Sequence, residues 1–384
     1  MKIVIAPNAF KNSLPAAGVA AALEEGIRLS GYAGELNCCP VGDGGDGTGS
    51  LLAQYLGAAI LPAAVADPLG RTIDASFGWV RETATAVIEL ADASGLRLLL
   101  PEEYNPLVAD TTGCGQLMKA ALDQGAGELL LCIGGSATVD GGTGILKELG
   151  LRFYDAQGGT LQQFPKDLVK LHAIDASALD PRLRNTRITI LCDVKNHLCG
   201  AKGAAAVFGP QKGAGVDDVM LLEAALQQLR QVVMQYGGKD MDALESGGAA
   251  GGVAAGVAAF CNVEIVNGID YFLKKIDFEQ KLEGADRVVT GEGSIDHQTL
   301  EGKAPFGVAM MAKQKTIPVI GVAGRVPETT DPELQACFQW LFSINDQPLP
   351  IEEAIRQTHP NLVKAGIKIG REVQKQTAAV ASSV

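Results

Sequence analysis

The sequence has 384 residues, 47% of them hydrophobic, and a net charge of −12. Its length exceeds the roughly 250–300 residues at which a single hydrophobic core stops growing, so we expect two domains. The acidic balance excludes the basic surface of a nucleic-acid-binding protein, and no apolar run has the length of a membrane-spanning helix. We therefore expect neither nucleic acid nor membrane as a partner.

The N-terminus and the cysteines predict a cytoplasmic protein. Lys2 is followed by a short apolar strand and then Pro7, not by the long apolar segment of a signal peptide. The eight cysteines include no C-x-x-C pair, which favours free, buried thiols in a reducing compartment.

The first predicted strand, residues 1–5, leads into a polar segment that contains Lys11 and Ser13. Ser13 is a typical N-cap residue, and the helix that it would open ends at Gly31. Lys11 and Ser13 therefore lie where a strand passes into a helix, a position suited to binding an anion. A solvated lysine and a simple helix cap are the alternative interpretation.

A second strand, residues 36–41, is followed by GDGGDGT and a helix that reaches residue 56. Asp43 and Asp46 lie among four glycines, so their carboxylates can be presented to a divalent cation while backbone amides face an anion. The alternative is an Asp-Gly turn that caps the helix.

The central part of the chain contains a second glycine loop. Residues 65–110 are predicted to be rich in β-structure, and a helix is expected at residues 116–122. A very apolar strand, residues 128–133, then enters a loop before a helix at residues 143–149. The loop has the composition of a phosphate cradle, although it is not a G-x-x-x-x-G-K-[ST] P-loop. Its candidate binding residues are Gly134, Gly135, Ser136 and Thr138.

Asp193 directly follows a strand predicted at residues 188–192. An ionisable residue at the end of a buried strand is costly unless it is used or paired. A catalytic or metal-binding role and an anchoring role for the loop both remain open. A further tight loop at residues 209–214 precedes a long helix predicted at residues 217–236.

The segment 285–303 carries the densest set of polar residues. Residues 286–290 predict a buried strand, after which the glycines predict a turn, and a helix is expected at residues 307–315. Ligands bind at this edge of open α/β sheets, so we interpret the segment as a phosphate and metal site. The candidate residues are Gly291, Glu292, Gly293, Asp296, Thr299 and Lys303.

Five glycine loops at strand-to-helix junctions, carrying Lys, Ser or Thr, and Asp, together indicate phosphoryl transfer. That reaction needs lysines, amides and Mg²⁺ to neutralise the transferring group, and a carboxylate to receive the acceptor proton. The alternative is a non-catalytic two-domain sensor that binds a small hydroxy acid or nucleotide. A sensor for an anion has no use for four carboxylates, which favours the enzyme.

Six segments closely resemble the bacterial type 1 glycerate kinases, the glycerate 2-kinases: residues 6–14, 40–48, 133–142, 192–200, 207–214 and 290–303. The resemblance runs from residue 1 to about residue 375. It implies ATP-dependent phosphorylation of D-glycerate at O2, giving 2-phosphoglycerate and ADP, and leaves the oligomeric state open. The sequence departs from the family at His197, where proline is frequent, and at Asn12, where glycine is common.

The resemblance also implies an α/β fold with two domains. A Rossmann-like parallel-sheet domain would be formed by both chain ends, residues 1–66 and 285–384. A second, mixed α/β domain, residues 67–284, would be inserted in it.

Carried onto this sequence, the resemblance assigns roles by residue type. Asp193 would be the general base toward the glycerate hydroxyl. Lys11 and Lys303 would face the glycerate carboxylate and the ATP phosphates, and Ser136 and Thr138 would cradle phosphate with their loop amides. The candidates for holding Mg²⁺ or the substrate hydroxyls are Asp43, Asp46, Glu292 and Asp296. The remaining candidate binding residues are Ser13, Gly134, Gly135, Gly291, Gly293 and Thr299.

Overall fold

The computed structural model describes residues 1–237, 239–327, 332–345, 347 and 349–381. Its strands are β1 (Lys2–Ile5), β2 (Glu35–Cys38), β3 (Ala59–Ala66), β4 (Thr72–Val80), β5 (Thr85–Glu89), β6 (Glu128–Cys132), β7 (Arg152–Tyr154), β8 (Ala173–Asp175), β9 (Arg187–Cys192), β10 (Val263–Asn267), β11 (Arg287–Ser294), β12 (Val319–Arg325) and β13 (Trp340–Ser343). Its helices are α1 (Ala16–Leu29), α2 (Thr48–Tyr55), α3 (Ala91–Ser94), α4 (Thr112–Asp123), α5 (Thr143–Glu148), α6 (Ala204–Phe208), α7 (Val216–Gln235), α8 (Ala249–Phe260), α9 (Gly268–Lys275), α10 (Phe278–Lys281), α11 (Ala304–Gln314), α12 (Pro332–Cys337) and α13 (Ile351–Ala381).

The chain forms two compact units, and the first comprises Met1–Asp43 and Ile269–Val384. In its described residues, a five-stranded sheet has the order β13-β12-β11-β1-β2, and every neighbouring pair is parallel. Counted within the unit, this is the 2-1-3-4-5 order of flavodoxin-like doubly wound sheets, and the strand order reverses between β1 and β11. The expectation of a Rossmann-like parallel sheet built from both chain ends is therefore confirmed.

The core of the first unit joins β1 to helices from both ends of the chain. Ile3 and Ile5 are fully buried, and Leu23 of α1 and Leu362 of α13 belong to the same apolar cluster. A Cβ on Gly26 would lie only 2.0 Å from the carbonyl oxygen of Val363, so glycine permits the close approach of α1 and α13.

The start of α1 differs from the prediction. Ser13 was expected to be the N-cap, but the helix begins at Ala16 and Pro15 is its N-cap residue. The Ser13 hydroxyl instead donates a hydrogen bond to the carbonyl oxygen of Ile355 at 3.0 Å. The N-cap prediction was wrong because Ser13 has a tertiary partner that the local sequence does not reveal.

The second unit comprises Gly44–Gly268. Its described residues contain a six-stranded sheet with the order β10-β9-β6-β5-β4-β3. The strands from β10 to β5 are parallel, whereas β4 and β3 extend the sheet as an antiparallel meander. The expected mixed α/β character is confirmed. Leu129 and Leu131 of β6 are fully buried, as the continuous apolar run of a central parallel strand requires.

The compact units differ from the expected division at both boundaries. Residues 59–66 were expected in the first domain, but they form β3, which pairs with β4 along its length, from Ala59 opposite Trp79 to Ala66 opposite Thr72. At the other boundary, Ile269 contacts α11, because a Cβ on Gly307 would lie 2.7 Å from its side chain. Both junctions therefore fall earlier in the chain, at residues 43–44 and 268–269.

A turn expected at Gly291–Gly293 is absent from the structure. Strand β11 continues through these residues to Ser294. Gly291 pairs with Val322 of β12, and a Cβ on it would lie 2.0 Å from the Val322 carbonyl oxygen. Glycine is therefore needed at Gly291 for close strand packing and not for a turn, so that prediction was wrong.

The expectation of free, buried cysteines holds in part. The eight cysteines are free; those that are buried are Cys39, Cys114, Cys132 and Cys192, and the others are partly buried. Among the helices that the structure describes, none combines the length and apolarity needed to cross a membrane.

Candidate active site

The site in the first unit is built beyond the end of β1, beside the last residues of β11. The amide of Ala6 donates to Val289, and the amide of Asn8 donates to the Gly291 carbonyl oxygen at 2.8 Å. The Asn8 side-chain amide then donates to a carboxylate oxygen of Asp43 at 2.8 Å. Asp43, which follows β2, is only 6% exposed. Polar groups from three chain segments thus meet at the carboxyl edge of the sheet, next to the strand-order reversal.

Glu292 is the most strongly perturbed carboxyl group of this site. It is 8% exposed and accepts a hydrogen bond from the Thr299 hydroxyl at 3.1 Å. Burial, followed by the charge of Asp43, raises the pKa of Glu292 to about 8, while Lys303 opposes the shift and Asp296 adds to it. A bound cation would stabilise the ionised form of Glu292, because an opposite charge nearby favours a carboxylate.

The segment after β11 orders these groups through short-range hydrogen bonds. The Ser294 hydroxyl donates to a carboxylate oxygen of Asp296 at 3.2 Å, and the Asp296 amide donates to the Thr299 hydroxyl oxygen at 3.2 Å. The Thr299 hydroxyl proton is thereby directed to Glu292. Thr299 positions Glu292 in this arrangement.

The two predicted lysines of the first unit occupy different environments. Lys303 is the N-cap residue of α11 and is partly buried, whereas Lys11 is exposed in the turn after β1. The neighbouring Asn12 has φ +61°, a conformation that favours glycine and that asparagine tolerates. The local backbone is therefore compatible with the asparagine at position 12.

The carboxylates of the first unit fit a magnesium ion that also has ligands from a substrate. Within the described residues, no group of three or more His, Cys, Asp or Glu side chains could hold a metal ion. Magnesium usually takes one or two carboxylates and completes its shell with water and phosphate oxygens. Asp43 and Glu292 match that requirement, since burial, and then the charge of Asp43, raise the Glu292 pKa.

The second unit fixes the glycine loop that follows β6 by backbone hydrogen bonds. The Gly134 amide donates to Gly44 at 2.9 Å, and the Ala137 amide donates to Ser94 at 2.9 Å. A Cβ on Gly134 would lie 2.4 Å from the Cα of Gly45, so the two segments can approach only without a side chain there. Because carbonyl oxygens already occupy these two amides, the loop offers fewer amides to a phosphate than expected.

A lysine overlooked among the predicted site residues lies beneath this loop. The Lys212 ammonium group donates to Ser136 Oγ at 2.8 Å and to the carbonyl oxygen of Thr138 at 2.6 Å. Lys212 is only 2% exposed, and burial lowers its pKa to about 7, with partial compensation from Asp140. Its loop was recognised as tight, but only the fold shows that the lysine points inward.

Asp46 and the overlooked Glu89 form a second acidic cluster. Glu89 ends β5 and accepts hydrogen bonds from the amides of Gly47 and Ser50 at the start of α2. Burial raises the Glu89 pKa to about 7, and a hydrogen bond with Asp46 adds to the shift. Asp46 also lies 3.5 Å from Arg97. A charged residue at the end of an apolar strand was the signal for Asp193, and the same signal identifies Glu89.

Asp193 directly follows β9, the strand next to β6. The carboxyl ends of parallel strands meet at one edge, so Asp193, Glu89 and the loop after β6 share that edge of the sheet. Asp193 is partly exposed. Its charge adds to the raised pKa of Cys192, whose main cause is burial.

The structure therefore gathers the predicted residues into two sets, one in each unit. The first unit contains Lys11, Ser13, Asp43, Gly291, Glu292, Gly293, Asp296, Thr299 and Lys303. The second contains Asp46, Gly134, Gly135, Ser136, Thr138 and Asp193. In the first set Lys11 and Asp43 follow β1 and β2, and in the second set Ser136 and Asp193 follow β6 and β9.

Comparison with known proteins identifies the family. Residues 3–374 match the model of the glycerate kinase family. The chain is 42% identical to glycerate kinase of Bacillus subtilis, over 92% of this chain and 93% of that protein, and 38% identical to glycerate 2-kinase of Escherichia coli K12, over 96% and 97%. A crystal structure of a putative glycerate kinase 2 from Salmonella typhimurium LT2 superposes with a TM-score of 0.80 at 38% identity, covering 98% of this chain and 99% of that chain. The chain therefore belongs to the glycerate kinase family.

Proposed function

We propose that the protein transfers the γ-phosphoryl group of ATP to the 2-hydroxyl of D-glycerate, giving 2-phosphoglycerate and ADP. The observation that carries this proposal is the buried carboxylate cluster of Asp43 and Glu292 at the strand-order reversal of the first unit. In a chain of this family, such a cluster suits a metal-bound nucleotide. The relative from Escherichia coli is named for phosphorylation at the 2-position.

Asp193 is the proposed general base. Its carboxylate accepts the proton of the glycerate hydroxyl, whose oxygen forms a bond to the γ-phosphorus. The bond from that phosphorus to the bridging oxygen breaks, and ADP leaves with the bonding electrons. A partly exposed carboxylate at a strand end suits this role because it can meet both solvent and substrate.

The remaining groups bind and neutralise charge in the proposed reaction. Asp43 and Glu292, with Asp296 beside them, would hold Mg²⁺, which supplies charge neutralisation on the phosphate oxygens. Lys11 and Lys303 would interact with the anionic groups of glycerate and ATP. In the second unit, Ser136 would donate to an anionic oxygen. The role of Asp46 as a metal ligand stays a prediction, as does the cytoplasmic location.

The first experiment is ³¹P NMR of the product formed by purified protein, MgATP and D-glycerate. A 2-phosphoglycerate signal would support the proposal in full. A 3-phosphoglycerate signal would keep the reaction class and overturn the assigned hydroxyl. A folded protein that forms no ADP in response to glycerate would overturn the activity and favour the sensor.

A further inference from the structure

Lys212 is a buried cation that the proposed chemistry does not yet use. It lies in the turn between α6 and α7, where its amide donates to Gly209 at 2.9 Å. The next residue, Gly213, has φ +98°, and a Cβ there would lie 2.3 Å from the Tyr104 carbonyl oxygen. The backbone therefore holds the lysine in place by a contact that only glycine allows.

The two hydrogen bonds of Lys212 determine the direction of the Ser136 hydroxyl. An ammonium group has donors only, so Ser136 Oγ must be the acceptor of the 2.8 Å bond. The hydroxyl proton of Ser136 then points away from Lys212. No acceptor for that proton is present among the residues that the structure describes. The Oγ1 atom of Thr138, two residues further on, is likewise buried without a hydrogen-bond partner in the described part of the chain.

The charge of Lys212 also lacks a direct partner. Within the described ranges, no carboxylate forms an ion pair with it, and the group that acts on it through space is Asp140. Asp140 is itself fully buried, accepts hydrogen bonds from Thr111, and faces the charge of Asp110. A buried ammonium group with no ion pair is stabilised by an anion that binds nearby.

We propose that Lys212 is a positioning residue that turns the Ser136 hydroxyl proton outward, so that Ser136 donates a hydrogen bond to an anionic oxygen of a ligand. The oxygen belongs to a phosphate or to a carboxylate. The inference rests on the proposed function for the ligands that supply these groups, namely ATP and D-glycerate. Lys212 acts through Ser136 because it is too buried to meet the ligand itself.

The test measures binding by isothermal titration calorimetry, with a non-hydrolysable ATP analogue plus Mg²⁺ and, separately, with D-glycerate. We expect Ser136→Ala to weaken one of the two ligands about 10-fold or more, since hydrogen bonds to charged groups contribute about 1.5–3 kcal/mol. Lys212→Met should weaken the same ligand to a similar degree. The ligand that responds identifies the anionic oxygen as phosphate or carboxylate.

The double variant tests whether the lysine acts through the serine. If it does, Ser136→Ala should weaken binding by less than about 3-fold in the Lys212→Met background. The matched control is Lys170→Met, since Lys170 is an exposed lysine of the same unit, and its affinities should equal those of the wild type. The proposal would be overturned if the affinity losses of the two single variants multiply in the double variant. Unchanged affinity for both ligands in a folded Lys212→Met protein would overturn it as well.

A second measurement remains decisive if Lys212→Met does not fold. Lys212 loses its charge as pH rises from 6.5 to 8.5, and the neutral amine can accept a hydrogen bond from the Ser136 hydroxyl. Wild-type affinity for the responding ligand should therefore fall over this range. Ser136→Ala should show a smaller fall, and titration of the ligand and of other enzyme groups cancels in that comparison. Equal pH profiles for the two proteins would overturn the role of Lys212. Because binding is measured without turnover, this result is independent of the NMR test of the activity.

Discussion

Removal of the Asp140 carboxylate should destabilise the second unit more than removal of an exposed aspartate carboxylate. Asp140 is fully buried and accepts hydrogen bonds from Thr111 N at 3.0 Å, Thr111 Oγ1 at 2.7 Å, Gly142 N at 3.1 Å and Gly144 N at 3.1 Å. In Asp140→Ala these donors lose their acceptor, and each unpaired buried donor costs about 1–3 kcal/mol.

Adding the costs of these unpaired donors overstates the loss of stability. Burial, and then the charge of Asp110, raise the Asp140 pKa, so part of the cost of ionising a buried carboxyl group is recovered when it is removed. We therefore expect the free energy of unfolding to fall by about 3–5 kcal/mol, the range for breaking a buried charged interaction. The midpoint of thermal unfolding should fall by about 6–20 °C.

Tryptophan fluorescence can report this unit alone. The chain has two tryptophans, of which Trp79 lies in β4 of the second unit and Trp340 lies in β13 of the first. A Trp340→Phe background leaves Trp79 as the single reporter during urea unfolding. Asp140→Ala is then compared with its parent by the shift of the unfolding midpoint at constant slope.

The matched control is a partly exposed aspartate with similar backbone partners. Asp155 accepts hydrogen bonds from the amides of Gln157 at 2.9 Å and Gly159 at 2.7 Å in an exposed turn. Asp155→Ala should cost less than about 1 kcal/mol, because water replaces the lost acceptor. A loss for Asp140→Ala that is no larger than this control would refute the argument that burial determines the cost.

Three further variants test the site and the sheet. Asp193→Asn should lower kcat by about 10²–10⁴ with an unchanged unfolding midpoint, and near-wild-type turnover would remove Asp193 from the role of base. The Glu292 pKa is raised from 4.5 to about 8 in the fold, so its stabilising contribution is full below pH 4.5 and is lost as pH rises through about 8. As pH rises from 5 to 9, the free energy of unfolding of metal-free Glu292→Gln should therefore increase relative to that of the metal-free wild type by on the order of 3 kcal/mol. A difference that stays constant with pH would contradict this. Gly291→Ala should cost about 2–3 kcal/mol because its Cβ meets the Val322 carbonyl oxygen, and Trp340 reports this loss during urea unfolding in a Trp79→Phe background. Gly127→Ala, with no atom within 4 Å, should be neutral when Trp79 reports the unfolding of the second unit.

Local sequence patterns predicted most elements because hydrophobic periodicity and strand-like runs are local signals. The strand at residues 128–133 and the helix at residues 143–149 are present as β6 and α5 with small changes at their ends. The boundary between the two units was predicted less well. Strand β3 belongs to the second unit because of its pairing with β4, which its own alanine-rich sequence does not specify.

Glycine was the most ambiguous signal. The same residue type permits a turn at Gly135, where φ is +73°, and a close strand contact at Gly291, where the backbone stays extended. The difference depends on Val322 in a neighbouring strand, which lies 31 residues further along the sequence (322 − 291 = 31). Local sequence therefore predicts that a glycine matters but not which of its two properties is used.

The residues that sequence reasoning overlooked have partners far away in the chain. Lys212 can be buried because Ser136 Oγ and the Thr138 carbonyl oxygen accept hydrogen bonds from it, at sequence separations of 76 and 74 residues. A lysine in a tight loop is more often solvated, so nothing local distinguishes this one. Glu89 also has distant partners, since its carboxylate accepts hydrogen bonds from amides at the start of α2, 42 and 39 residues earlier. Its position at the end of an apolar strand was nevertheless a local signal.

The assembly of the first unit from both chain ends has a consequence during synthesis. Strand β1 lies between β2 and β11, with Ile3 opposite Arg287, so its second neighbour leaves the ribosome only after the whole second unit. The continuous segment Gly44–Gly268 can fold while translation proceeds, but the apolar residues of β1 must wait for their partner. The nascent chain thus carries an unfinished, aggregation-prone strand for most of its elongation, and we expect prematurely terminated chains to depend on chaperones or to be degraded.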